Sequence, residues 1–240
     1  MNNNDTVNYL NKELQIIKNY YQVRDFDSVI QKSRIVLKQF PDQIVFFNAL
    51  GLAYKEKGEL DLAEETLLKG LKINPKEVNI LCNLGLISKA KQKTKEAAEY
   101  YKRSLKIFPD HIPSIVNFAN LKKDLGLTDD AIKLLLKALK INDQLSEVHI
   151  NLAIAYKSIG KFDLTKKHCE FLNDKYPNLT IADNLLSQIT DYSKNNEHQA
   201  IMVKKIVNKD LSIMDEIYLN FGIAKSYEDQ KKFDQSLEFL

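Results

Sequence analysis

Asparagine recurs at Asn83, Asn117 and Asn151, and lysine at Lys55, Lys89, Lys123 and Lys157, each at intervals of 34 residues. A side-chain amide offers a donor and an acceptor together, so an evenly spaced row of amides can hold the backbone of an extended peptide whatever its sequence. Each such bond contributes about 0.5–1.5 kcal/mol net, so three acting together matter. A parallel row of ammonium groups would attract acidic side chains on the same segment. Other chemistry has no constellation here. His111, His149, His168 and His198 show no HExxH or other metal-ligand spacing, and Cys82 and Cys169 form no CxxC. His168 and Cys169 are neighbours, but successive residues of a helix point about 100° apart, which is poor geometry for a nucleophile and its base. Seven glycines make no phosphate loop of the GxxxxGK[ST] or GxGxxG kind. The expectation is a chain with no catalytic, cofactor or metal site.

The two rows need a scaffold that presents one face every 34 residues. Seven glycines and five prolines make up 5% of the 240 residues, against an average of about 12%. So few breakers argue against a β-sandwich and against disorder, while 44% hydrophobic residues can supply a core. Helices joined by short turns are expected. The 35 Lys and Arg interleave with 32 Asp and Glu for a net charge of +3, and arginine occurs only at 24, 34 and 103. A nucleic-acid binder would want a basic block and usually arginine, so no nucleic-acid partner is expected. The opening MNNNDTVNYLNKEL has no apolar signal core, and no run approaches the roughly 18 apolar residues of a membrane span. Cytoplasmic residence without a membrane partner is the expectation.

Proline gives the period. Pro41, Pro75, Pro109 and Pro177 are separated by 34, 34 and 68 residues, with Asp143 at the missing step. Taking these as position 32 divides the chain into repeats at 10–43, 44–77, 78–111, 112–145 and 146–179, after a polar leader over 1–9. Position 8 is then Gly51, Gly85, Ala119 and Ala153, and position 20 is Ala63, Ala97, Ala131 and Thr165. Small residues there let two antiparallel helices approach closely. Positions 4, 7, 8 and 11 form the i, i+3, i+4, i+7 stripe of a buried helix face. Gly58, Gly126 and Gly160 at position 15 suit a left-handed residue ending the first helix. Asp27, Asp61, Asp129 and Asp163 at position 18 would cap or charge the start of the second. Each unit is a helix–turn–helix that cannot bury its own apolar face, so neighbours must stack.

The run FNALGLAYKEKGELDLAEETLLKGLKINP (47–75) resembles a tetratricopeptide repeat, as do NLGLISKAKQKTKEAAEYYKRSLKIFP and NLAIAYKSIGKFD. The resemblance implies an all-α, right-handed superhelical solenoid with the first helix of each repeat, helix A, on the concave side. Over 180–216 the pattern degenerates: SKNNEH lacks the turn glycine, and Gln199 takes the small position 20. YLNFGIAKSYEDQKKFDQSLEFL then restores it as a partial seventh repeat over 217–240, starting three residues later than the period requires. Its last residues, SLEFL, are an apolar half-helix with no polar cap. The expectation is a truncated chain, or an end that a partner or a second copy covers.

On helix A, the asparagines at position 6 and the lysines at position 12 lie about 120° apart. Between them, positions 5 and 9 carry Leu52, Cys82, Leu86, Val116, Ile150 and Ile154, with Asn48 and Asn120 as exceptions. An apolar floor between an amide edge and a basic edge suits an extended peptide with apolar and acidic side chains. The second repeat departs, with Ala49 at position 6 and Asn48 one residue earlier, which would stop the amide row short of it. Asparagine at this position can alternatively bond one repeat to the next, and the lysines can be a solvated face. The amide row is similar to that of the repeat arm of O-linked N-acetylglucosamine transferases, where it binds substrate peptides. The lysine–asparagine pairing of the chaperone carboxylate clamp is missing. The segment FGIAKSYEDQKKFDQSLEFL is similar to the end of the repeat region of bacterial tetratricopeptide-repeat sulfotransferases, which implies as the alternative function the substrate-recruiting arm of a sulfotransferase, ahead of a glycosyltransferase, with the catalytic domain outside this chain.

Overall fold

The computed structural model describes residues 3–207 and 210–240. Fourteen α-helices and no strand are found among them: α1 Asn3–Gln22, α2 Phe26–Gln39, α3 Ile44–Glu56, α4 Leu60–Ile73, α5 Val78–Ala90, α6 Thr94–Ile107, α7 Ile112–Asp124, α8 Thr128–Ile141, α9 Ser146–Ser158, α10 Phe162–Lys175, α11 Ile181–Ser187, α12 Glu197–Ile206, α13 Ile213–Asp229 and α14 Phe233–Leu237. Odd-numbered helices are the A helices and even-numbered ones the B helices. The chain forms two compact units, Met1–Leu121 and Lys122–Leu240. No described helix is long and apolar enough to cross a membrane. The polar opening is already helical, since α1 starts at Asn3.

One turn geometry recurs at position 15. Gly58, Gly126 and Gly160 have φ of 79°, 76° and 72°. Arg24, Gln92 and Lys231 take the same left-handed conformation at φ of 59°, 60° and 61° without being glycine. In all six turns the next residue's N–H bonds back to the carbonyl five residues earlier, as in Glu59 N to Tyr54 O at 2.9 Å and Lys93 N to Ser88 O at 2.8 Å. This closure satisfies an orphan helix carbonyl and turns the chain into helix B. The aspartates at position 18 stand in the first turn of α2, α4, α8 and α10, where they charge the helix start and do not cap it, and the residue preceding α4, α8 or α10 makes no side-chain cap bond. Instead, Asp27 and Asp61 accept from Lys57 and Lys91 of the following repeat, the second pair at 2.5 Å. The exception is α2, where Asp25 accepts from Ser28 N at 3.1 Å.

In unit 1 one core runs through the stacked hairpins, including Val29, Val36, Phe46, Leu67, Ile80 and Leu84. Close approach of helices A and B depends on the glycines at position 8. A Cβ on Gly85 would lie 2.5 Å from Cε1 of Tyr101, and one on Gly51 would lie 2.6 Å from Cγ of Leu67. Where position 20 is polar, its hydroxyl is satisfied by the facing helix: Thr165 Oγ1 donates to Ala153 O at 3.3 Å, and Ser236 Oγ to Ala224 O at 2.9 Å. Unit 2 has separate clusters around Cys169 and Leu185 and around Tyr192, Met202 and Leu219. The three-residue slip before the last hairpin is absorbed as an extra turn at the start of α13. Ser212 and Asp215 form a capping box there, and Thr180 donates to Asp215 Oδ1 at 2.6 Å. Phe221, Phe233, Leu237 and Leu240 are exposed.

Candidate functional site

The A helices place the amide row, and in unit 1 its members are linked. Asn83 Nδ2 donates to Asn48 Oδ1 at 2.7 Å, and Asn117 Nδ2 donates to Cys82 Sγ at 3.4 Å. In both cases position 6 of one repeat reaches position 5 of the repeat before it. Asn48, one residue off position 6, is thus in reach of Asn83, and both bonds are of the repeat-to-repeat kind that the sequence offers as the alternative to a peptide ladder. Both asparagines are half-buried, and each bond uses one amide hydrogen. Neither Asn83 nor Asn117 accepts a hydrogen bond on its Oδ1 from the described residues. Leu52, Leu86 and Asn120 are half-buried beside them, and Val116 and Cys82 are buried. Burial pushes the Cys82 thiol up, against smaller opposing effects of Ser114 and Asn117. It is therefore a packing group and not a nucleophile. Lys55 pairs with Glu56 at 2.6 Å, and Lys89 is half-buried.

Unit 2 carries the remaining residues. Asn151 is buried, while Ile150 and Ile154 are half-buried. Lys157 donates to Gln188, and Lys123 is half-buried.

Two buried polar clusters in unit 2 escape a reading of the sequence. In α9 and α10, His149 Nδ1 and His168 Nδ1 are 2.9 Å apart, and His149 Nε2 is 2.9 Å from Asp143 O. A carbonyl can only accept, so His149 carries its proton on Nε2 and its bare Nδ1 accepts from His168 Nδ1–H. The rings stack, His149 on Phe171 and His168 on Tyr156. Burial, with His149 adding to it, lowers the His168 pKa to about 4. In α11 and α12, Asp183 is fully buried, accepting from His198 Nε2 at 3.1 Å and from Lys205 Nζ at 2.6 Å. His198 Nδ1 is 2.5 Å from the Tyr192 hydroxyl. Carboxylate, imidazole and phenol thus lie in line, but Tyr192 is 2% exposed. No substrate reaches that hydroxyl, so the chain of bonds holds the helices together. No group of three or more metal-ligating side chains occurs among the described residues.

Tetratricopeptide-repeat family models match residues 46–77, 78–111 and 112–145. Residues 46–145 are tetratricopeptide repeats. Solved structures similar to this chain share its fold over a longer stretch. PilW, described as a widely conserved type IV pilus biogenesis factor, has a TM-score of 0.72 at 17% identity, covering 87% of this chain and 97% of its own. A tetratricopeptide repeat protein from Parabacteroides merdae has a TM-score of 0.67 at 17% identity, covering 95% and 90%. YrrB, described as a tetratricopeptide-repeat protein with an unusual peptide-binding site, has a TM-score of 0.55 at 13% identity, covering 86% and 96%. At such identities the likeness is one of fold, a helical-repeat solenoid. No curated protein matches the chain. The sulfotransferase-like segment at 221–240 folds as the end of α13, the turn at Lys231 and α14. It is a helix–turn–helix with the same left-handed turn as the other hairpins.

The histidine pair has a consequence for pH. A histidine in an unfolded chain titrates near 6.5, well above the value of about 4 for folded His168. The unfolded chain therefore takes up a proton that the folded one refuses, and stability that is complete above about pH 6.5 is lost as pH falls toward 4. The gap corresponds to about 3 kcal/mol at most. Chemical denaturation at pH 7 and pH 4.5 is expected to show a lower acid midpoint for unit 2, with much of the difference removed in His168→Gln. An acid loss identical in that variant would refute the assignment.

Proposed function

We propose that this chain is a protein-interaction module whose A helices hold an extended peptide. Asn83 and Asn117 pair with the peptide backbone. Leu52 and Leu86 form the seat, whereas Val116, expected in it, is buried and offers it no surface, and Lys55 and Lys89 receive acidic side chains. Asn120 extends the polar edge. In unit 2, Asn151, Ile150, Ile154, Lys123 and Lys157 offer the same residue types. The observation that carries this reading is the repeat-to-repeat linkage of Asn48 with Asn83 and of Cys82 with Asn117. Each link fixes an amide while leaving its oxygen and second hydrogen unspent, so the row is oriented before a ligand arrives and less ordering entropy is lost on binding. Tetratricopeptide-repeat folds serve as interaction scaffolds, and YrrB, with its unusual peptide-binding site, shares this fold.

The test uses a peptide selected on the intact chain from a random dodecamer library. Two amide contacts at about 0.5–1.5 kcal/mol each predict binding weakened about tenfold in Asn83→Ala/Asn117→Ala. Unchanged affinity with unchanged helicity would remove the amides from the site.

A further inference from the structure

A second surface lies on the B helices of unit 1, away from the amide row. An open cleft of about 520 Å³ is lined by Glu65, Leu68, Lys69, Leu71 and Lys72 of α4, by Pro75 in the turn that follows and by Arg103 of α6. Its floor is apolar, with Leu68 36% exposed. Its one carboxylate is already spent, since Glu65 pairs with Lys69 at 2.7 Å. Lys72 and Arg103 are both exposed and neither forms an ion pair with a described residue. The Arg103 guanidinium lies 5.8 Å above the Tyr100 ring, which steadies it without neutralising it. Lysine stands at the position of Lys72 in α2, α6 and α8 as well (Lys38, Lys106 and Lys140) and leucine at that of Leu68 in α8 (Leu136), whereas α10 has Glu170 and Asp174 there.

An apolar floor beside two uncompensated cations is complementary to a group that is apolar at one end and anionic at the other. A cleft of this volume takes one or two large side chains and not a whole domain. We infer that the α4–α6 cleft is a second docking site, for a partner-protein segment carrying a leucine or phenylalanine next to an aspartate or glutamate. The apolar side chain rests on Leu68, Leu71 and Pro75. The carboxylate lies between Lys72 and Arg103, where the guanidinium can grip it through two parallel N–H bonds. This site is independent of the amide row, so the two can be filled together or separately.

The test is fluorescence anisotropy on the intact chain with two labelled octapeptide pools. One pool has a fixed Leu/Phe–Asp/Glu pair and the other has Asn/Gln in place of the acids. The expected result is saturable binding of the acidic pool to Asn83→Ala/Asn117→Ala, in which the amide row no longer competes for it, at least tenfold weaker when Lys72→Gln/Arg103→Gln is added. Loss in the asparagine variant alone would overturn the cleft and leave the amide row as the site. Equal binding of both pools would also overturn it, as would binding indifferent to Lys72→Gln/Arg103→Gln or no saturable binding at all. Competition by myristate, or sedimentation showing a dimer that the same variant dissolves, with the pools unbound, would replace the peptide by a fatty acid or a second copy.

Discussion

Asp183→Ala is expected to destabilise unit 2 by about 3–5 kcal/mol, the cost of removing one partner from a buried ion pair. Asp183 is fully buried and holds both Lys205 Nζ and His198 Nε2. Its loss leaves an ammonium group, 20% exposed, facing a cavity where its counter-charge stood. It also releases His198, whose other nitrogen meets the Tyr192 hydroxyl, so the effect spreads from α11 through α12. Hydrogen exchange should show α11 and α12 losing protection while α3 to α6 keep theirs, because repeat proteins couple chiefly through neighbours. Replacing both members, as Asp183→Leu/Lys205→Met, should recover much of the loss, since an apolar pair of similar volume carries no desolvation cost. A change below about 1 kcal/mol for Asp183→Ala would show that water reaches the cluster and that it is not a buried charge site.

Tyr101→Ala is the second large effect, at about 3–5 kcal/mol in unit 1. The ring is fully buried and packs toward Phe118, with centroids 6.0 Å apart. It also lies over Gly85, where an added Cβ would meet three ring carbons at 2.5–2.8 Å. Gly85→Ala alone should therefore cost about 1–3 kcal/mol from overpacking, against a gain of about 1 kcal/mol in helix propensity. In the Tyr101→Ala background the clash is gone, and Gly85→Ala should turn neutral or stabilising. Urea midpoints of the four proteins in this cycle measure the coupling. Additive effects would mean that α5 and α6 shift apart readily, and that position 8 is small for another reason.

The period was legible because proline and glycine have few places to go in a helical chain. Pro41, Pro75 and Pro109 follow the ends of α2, α4 and α6, and three glycines hold left-handed turns. Arg24, Gln92 and Lys231 adopt the same turns with nothing in their side chains to announce it. There the backbone bond that closes the helix dictates the conformation, and Gly, where it occurs, only relieves the strain. The buried clusters were illegible for a different reason. Asp183, His198 and Lys205 stand in the stretch where the period fails, at separations of 15 and 22 residues that no repeat register relates. The histidine pair is regular in position, but contact between the two rings depends on side-chain rotation, which spacing does not fix. The amide row lies between these cases. Its period shows in the residues, and the one-residue step that joins Asn48 to Asn83 needed the geometry of adjacent A helices.

The most direct measurement of the central claim follows the side-chain amide signals of Asn83 and Asn117 by NMR, in intact chain labelled with nitrogen-15 at asparagine, during titration with the selected peptide. If the amides hold the peptide backbone, both signals shift in step with saturation and show cross-peaks to peptide α-protons, while Asn178, far along the chain in an exposed turn, stays still. A peptide that saturates the protein without moving either signal would contradict the claim and place the binding face elsewhere.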